Sequence, residues 1–195
     1  VVSAPSGGGK TTIVSEVTKS CPGIKRSVSC TTRPSRPGEE SGVDYHFVSE
    51  TEFKAMAKKG LFLEWAEVYG RFYGTPRKPI QENIARGIDM ALAIDIQGAR
   101  SVRSEFSDAV FIFIIPPSME ELGIRLKKRD SGPDPSHVAR LNSAKEEIST
   151  ADEYDYIIVN SLLKESVAQL RAIITAERLR RCRYIIHNKG EAAGT

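Results

Sequence analysis

Cysteine and histidine are scarce in this chain, and their scarcity removes whole classes of chemistry. The three cysteines, Cys21, Cys30 and Cys182, are odd in number and far apart, with no histidine at ligand spacing. They specify neither a disulfide framework nor a zinc site, and they suit a reducing interior. His46, His137 and His187 have no partner pattern, so each reads as structural or solvated. No apolar run approaches membrane-spanning length, and residues 1–195 show no signal-peptide pattern. The chain opens inside a strand, so a few native residues are expected to precede Val1. A large excess of one charge is missing too: 28 basic residues against 25 acidic leave only +3. That balance suits an anionic ligand and is too mild to argue for nucleic acid. No internal repeat is visible.

What is present begins at the first residue. With 195 residues, 40% hydrophobic and 27% charged, the chain suits one soluble domain with a substantial core. Val1-Val2 reads as the end of a buried strand. The small residues Ser3-Ala4-Pro5-Ser6-Gly7-Gly8-Gly9 follow, and Lys10-Thr11-Thr12 opens a helix. This is the shape of a phosphate-binding P-loop, G-x-x-x-x-G-K-[ST], with Ala4 in place of the first glycine. Such a loop points backbone N–H groups inward, and the helix N-terminus adds partial positive charge. Lys10 would reach the outer phosphates and the Thr11 hydroxyl would sit on Mg2+. A nucleotide-binding enzyme is the first expectation.

Apolar positions Ile13, Val14 and Val17 continue a helix from Thr11 to Ser20, stopped by Cys21-Pro22-Gly23. Residues 25–30 read as one strand. The segment Thr31–Gly42 carries Arg33, Arg36 and several turn formers, which points to an ordered binding loop; arginine suits forked capture of a phosphate. Asp44–Val48 alternates as a strand. Ser49 and Glu52 have capping-box spacing for a helix through Lys59. Residues 61–68 and Arg71–Thr75 read as a hairpin about Tyr69-Gly70. A helix follows from Pro76 to about Arg86. Met90–Ile96 and Ala109–Ile115 read as buried strands, with a helix over Gln97–Phe106 between them. Ser118 can cap a helix over Met119–Lys128. A helix from about Ser136 to residue 147, a strand over Tyr156–Val159 and a long helix from Lys164 to Ile186 complete the pattern. Glu191–Thr195 is expected to fray. Strands alternating with helices imply a parallel sheet covered on both faces.

Five further pieces stand in order: Ser29-Cys30-Thr31-Thr32-Arg33-Pro34-x-Arg36-x-Gly38-Glu39, Gly42-x-Asp44-Tyr45-x-Phe47, Phe62-x-Glu64-Trp65-Ala66, Tyr73-Gly74-Thr75 and Ile94-Asp95-x-Gln97-Gly98. With them the chain resembles the guanylate kinases essentially from end to end. The resemblance implies an α/β fold: a P-loop three-layer α/β/α core with a parallel sheet, an inserted mixed α/β GMP-binding subdomain and a small helical lid. It makes residues 1–195 a single domain, with core 1–29, 89–128 and 150–195, insertion 30–88 and lid 129–149. It implies the reaction ATP + GMP ⇌ ADP + GDP with Mg2+, in a cytoplasmic setting.

The resemblance also distributes roles. Ala4, Pro5, Ser6, Gly7, Gly8, Gly9, Lys10, Thr11, Thr12, Arg125 and Asn160 fall on the ATP side. Ser29, Arg33, Arg36, Glu39, Tyr45, Glu64, Tyr73, Thr75 and Asp95 fall on the GMP side. Lys10, Arg36, Arg129 and Arg140 are the candidate catalytic residues, and Thr11, with Asp95 as a second candidate, the metal residues. Arg33 and Arg36 would take the GMP phosphate dianion with the Tyr45 and Tyr73 hydroxyls, and Glu39 would orient the arginines. Guanine presents N1–H and an exocyclic NH2 side by side, which calls for a carboxylate; Glu64 matches the family's guanine-reading acid, Asp95 the second, with Ser29 and Thr75 supplying hydroxyls. Adenine lacks that donor pair. Arg129 and Arg140 would be carried by a closing lid.

The chain departs from the family's pattern at Ala4, at Ala93, where an acid is usual, and at Ser161-Leu162, where two acids are usual. A methyl at Ala4 is expected to be tolerated. Two rival readings share the fold: a guanylate-kinase-like binding module without catalysis, and a P-loop kinase for another phosphorylated substrate. Persistence of Gly9-Lys10-Thr11, Arg129 and Arg140 argues against the first. The arginine pair together with Glu64 argues against the second. Arg178, Arg180, Arg181 and Arg183 read as the solvated face of the last helix rather than a nucleic-acid patch.

Overall fold

Short runs of Val and Ile, buried on both faces and separated by amphipathic helices, are the requirement for a parallel sheet. The structure, a computed structural model, describes residues 1–129 and 137–183, without the side chains of residues 129 and 137–139. Strand β1 (Val2–Ser3) leads through the glycine loop to helix α1 (Lys10–Ser20) and then β2 (Ile24–Arg26). Next come β3 (Cys30–Thr31), β4 (His46–Phe47), α2 (Glu50–Lys58), β5 (Phe62–Val68), β6 (Arg71–Pro76) and α3 (Arg77–Ala85). The chain continues with β7 (Asp89–Ala91), α4 (Ile96–Glu105), β8 (Ile112–Ile115), α5 (Met119–Arg129), α6 (His137–Ile148), β9 (Tyr156–Val159) and α7 (Leu163–Arg178).

β1, β8 and β9 pair in parallel, as do β2 and β7. A parallel bridge from Val2 to Ala93, with Val2 N–H donating to Leu92 O at 2.8 Å, joins the two groups in the order β2-β7-β1-β8-β9. On one face Val14, Val17 and Leu170 of α1 and α7 pack with Val2, Ile112, Ile114 and Ile158. A second cluster joins Ala99 and Val102 of α4 to Leu92, Ile94 and Phe111.

Residues 30–76 form their own four-stranded sheet, β4-β3-β6-β5, parallel between β3 and β4 and otherwise antiparallel. It has a separate aromatic core: the Phe53 ring stacks on Phe62 at 4.5 Å and on Phe72 at 5.4 Å. Leu63 and Ile80 belong instead to the α4 cluster of the main sheet. The insertion is therefore rooted in the core through β5 and α3.

Several boundaries differ from the sequence reading for local reasons. The strand expected over 25–30 is broken, because Ser27 N–H still pairs with Ala91 of the main sheet while Cys30 pairs with Gly74 of the second. The strand expected to run to Ile96 stops earlier. Asp95 is the N-cap of α4, its side chain accepting from Gly98 N–H at 2.8 Å. The capping box at Ser49 and Glu52 is formed. The last helix ends at Arg178 and passes into a 3-10 turn over Arg181–Arg183. Its arginines are exposed, as expected, and three of them are also engaged. Arg178 bonds Asp89 and the Pro22 carbonyl, Arg180 bonds Glu177, and Arg183 bonds the Asp108 carbonyl. The expected helical extension to Ile186 and the frayed tail lie outside the described residues. Among the described residues, no helix is long and apolar enough to cross a membrane.

Candidate active site

The glycine loop hangs between the end of β1 and the start of α1. Gly9 is the helix N-cap at φ +92°, a left-handed conformation that only glycine takes without strain, and no side chain caps the helix there. Uncapped N–H groups at a helix start form an anion site. The loop is braced from behind by Asn160, at the end of β9. Its Nδ2 donates to Gly8 O at 2.8 Å, and its Oδ1 accepts from the Ser166 hydroxyl at 3.1 Å. A Cβ at Gly9 would stand 2.3 Å from that Nδ2, so the brace itself demands glycine. Lys10 crosses to the other side, its ammonium donating to the Ile94 carbonyl at 2.7 Å, one residue before Asp95.

The facing wall is assembled from four segments, Ser29 just before the insertion and three within it. Antiparallel register sets Glu64 of β5 directly opposite Thr75 of β6. An irregularity between Phe62 and Glu64 resets the strand there, and Glu64 turns inward to 7% exposure. The Thr75 hydroxyl donates to Glu64 Oε1 and lies 3.3 Å from the Ser29 hydroxyl. α4 closes in from the core: a Cβ at Gly98 would meet Glu64 Oε2 at 2.5 Å. Burial pushes the Glu64 carboxyl up to about 7; the Thr75 hydrogen bond opposes this, Asp95 adds to it and Lys10 again lowers it.

Beside this acid sits an arginine cradle. Arg33 forks onto Glu39 through two bonds of 2.9 Å, and Glu39 also accepts from the Arg36 backbone N–H at 2.8 Å. Burial works to raise the Glu39 carboxyl, but the bonds from Arg33 and the Arg36 amide outweigh it and hold it below the usual range. The Arg33 guanidinium lies 5.4 Å from the Tyr45 ring centre, and Tyr45 meets Tyr73 edge-on at 6.1 Å.

Both walls open onto one cleft of about 820 Å³. Ala4 to Thr12, Ser29, Arg33, Arg36, Glu39, Tyr45, Glu64, Tyr73, Asp95, Arg125 and Arg140 all line it. The cleft therefore joins an anion loop with its lysine to a cation-lined recess ending in a buried acid, which is the layout for moving a phosphoryl group between two bound anions. An apolar cavity of about 340 Å³ at the other end of the strands is lined largely by aliphatic side chains such as Val17, Ile24 and Leu170. Of the charged residues on its lining, Asp89 pairs with Arg178 and Glu177 with Arg183.

A family model described as guanylate kinase matches residues 1–177. The chain belongs to the guanylate kinase family. It is 51% identical to the guanylate kinase of Symbiobacterium thermophilum over 183 residues, 94% of this chain and 87% of that protein. It is 46% identical to the guanylate kinase of Thermotoga maritima, over 91% of this chain and 86% of that protein. The crystal structure of guanylate kinase from Anaplasma phagocytophilum superposes with a TM-score of 0.80 at 38% identity, covering 93% of this chain and 86% of that one. The P-loop α/β core with a parallel sheet is the fold of this family.

Most residues expected on the guanylate kinase pattern converge on the cleft. Asn160 does not: it is buried, absent from the cleft wall, and spends its side chain on the loop's back. Thr75 is fully buried behind Glu64. Arg125 lines the cleft while donating to the Asn160 carbonyl and to Glu121. The Arg129 side chain lies outside the described residues. Ala4 is 6% exposed in the main core and has no positive φ, so the backbone at this position does not require glycine.

Among the cleft residues that the sequence reading gave no role in the site are Glu147, Tyr69 and Arg71. Glu147 is pushed up to about 7 by burial, against the pull of Lys10 and with a push from Asp95. It lies seven residues after Arg140 on α6, hence on the same face, and that spacing was the available signal. Tyr69 and Arg71 reach the cleft from the hairpin end. No local pattern marks a turn residue as part of a site.

Proposed function

We propose that this protein transfers the γ-phosphoryl group of ATP to GMP, giving ADP and GDP. The observation that carries the reading is a single cleft with the glycine loop and Lys10 on one wall and the buried Glu64–Thr75–Ser29 group beside Arg33 and Arg36 on the other. The uncapped start of α1 and Lys10 hold the ATP phosphates. Arg36 and Arg33, with the Tyr45 and Tyr73 hydroxyls, hold the GMP phosphate. Glu39 keeps Arg33 in place. Glu64 accepts from the two adjacent guanine donors, with Asp95 as the second acid.

A phosphate oxygen of GMP attacks the γ-phosphorus in line, the bond to the β-phosphate oxygen breaks, and ADP leaves. No covalent protein intermediate is needed. Lys10, Arg36, Arg129 and Arg140 neutralise charge spreading over the transferred group. Residues 129–149 act as the lid that excludes water, residues 30–88 as the mobile GMP-binding part, and the remainder as the core.

Among the described residues no cluster of three His, Cys, Asp or Glu could hold a metal alone. On this reading Mg2+ would arrive with the nucleotide, the Thr11 hydroxyl and Asp95 would help to hold it, and it would supply neutralisation of phosphate charge. Cys21, Cys30 and Cys182 are all unpaired, which suits a cytoplasmic setting.

The test is a coupled assay with ATP, Mg2+ and each of GMP, AMP, CMP and UMP. GMP is expected to be converted and the other three poorly used. Equal turnover of AMP would remove Glu64 from its assigned role, and no turnover of any would leave the binding-module reading.

A further inference from the structure

The hairpin joining β5 to β6 closes on a Val68–Arg71 pair, with only Tyr69 and Gly70 between. Both turn residues have positive φ, +50° and +71°. Such two-residue turns favour Asn, Asp or Gly at the first position, because a Cβ there is strained. Tyr69 is the one non-glycine residue with positive φ among the described residues. Hairpin geometry alone does not account for an aromatic at this position, so the ring needs another reason to be there.

That reason lies across the cleft. The Arg140 guanidinium of α6 sits over the Tyr69 ring, 5.4 Å from its centre, and both residues line the cleft. An aromatic face attracts a guanidinium electrostatically through a contact that itself uses none of the N–H donors. A ring can therefore bear on where an arginine points without adding a hydrogen-bond acceptor to the cleft.

We propose that Tyr69 is a positioning residue, whose ring holds Arg140 at the mouth of the cleft and links the tip of the insertion to α6. Arg140 reaches the cleft from α6, and Tyr69 reaches it from the insertion that carries Glu64 and the Arg33–Glu39 pair. The contact thus couples the arginine that acts on the moving phosphoryl group to the part that holds the acceptor. This rests on the phosphoryl-transfer reading of the cleft.

Tyr69→Gly removes the ring and relieves the backbone, since glycine adopts φ +50° freely. It is expected to lower kcat roughly three- to thirtyfold, the range of a cation–π contact expressed as a rate. KM for ATP should stay within about twofold and the melting temperature should not fall. Tyr69→Phe keeps the ring and should keep kcat within about twofold. With Arg140→Lys already present, Tyr69→Gly should cost less than about twofold more, because the two act as one unit. Loss of the same size in Tyr69→Phe, or losses of Tyr69→Gly and Arg140→Lys that multiply, would overturn the proposal. Hydrogen exchange of the nucleotide-free protein supplies a readout independent of catalysis. Amides of residues 140–148 should exchange faster in Tyr69→Gly than in wild type or Tyr69→Phe, with α1 unchanged. Unchanged exchange there overturns the proposal even where GMP phosphorylation is confirmed. Faster exchange supports it even where the wild type leaves GMP untouched.

Discussion

The two walls of the cleft are built in opposite ways. The phosphate loop is contiguous in sequence, holds its shape through a neutral amide at Asn160, and offers backbone N–H groups with one lysine. The facing wall draws on residues 29, 33–45, 64 and 73–75, and it manages charge by pairing Arg33 with Glu39 and by burying Glu64. The first wall presents fixed dipoles to whatever phosphate arrives. The second keeps an acid near the edge of ionisation. On the proposed reading, affinity for triphosphate and discrimination among monophosphates are separated onto the two walls, and substitutions should separate them too.

The largest effect should come from the shared centre. Lys10→Ala is expected to lower kcat by at least about 10³-fold with an unchanged melting temperature, measured in the coupled assay and by calorimetry. Substantial residual activity would mean that the loop is not the phosphate site. Glu64→Ala should reduce kcat/KM for GMP roughly 10²-fold while ATP affinity holds within about twofold, because only the base-facing wall has changed. Equal loss of both would erase the distinction between the walls.

Glu64 also gives that distinction a pH signature. Its folded-state pKa, about 7, lies above the ordinary 4.5. Its contribution to stability is therefore fully present below 4.5 and is lost as pH rises through about 7. GMP needs the ionised form, so its affinity should weaken as pH falls below about 7, approaching tenfold per pH unit. ATP affinity should not follow. Titration calorimetry of wild type and Glu64→Gln, with GMP and with ATP, checks this. A wild-type profile retained in Glu64→Gln would assign the proton elsewhere. The smallest effect is expected behind the loop. Asn160→Ala should cost about 1–3 kcal/mol of stability and weaken ATP a few-fold, leaving GMP nearly untouched. Thermal melts with each nucleotide separate the two.

How much of this could be read in the sequence follows the same division. The loop and α1 were legible because motif, strand end and helix start are consecutive. The residues of the facing wall were legible only as a set of family motifs, since no local pattern says that Ser29, Glu64 and Thr75 meet. Asp95 was recognised as a site residue, but its capping of α4 was not, because an apolar run hid the change from strand to helix. Asn160 was recognised on the ATP side, but its bond to the back of the loop was not: a side chain at a strand end faces ligand or loop according to packing more than a hundred residues away. Tyr69 and Glu147 emerged only when the hairpin and α6 were brought to the same cleft.

The Asn160 brace also bears on how the protein is made. The glycine motif lies within residues 4–12 and is synthesised well before its brace. The amide that holds Gly8 lies 152 positions later, on the strand that completes the edge of the parallel sheet. Until that strand docks, the nascent loop has its residues without its shape, and non-local parallel pairing is the slow part of such folds. On the proposed reading, competence to bind a triphosphate thus waits for β9 to dock, so a chain that stops short of Asn160 should not engage nucleotide.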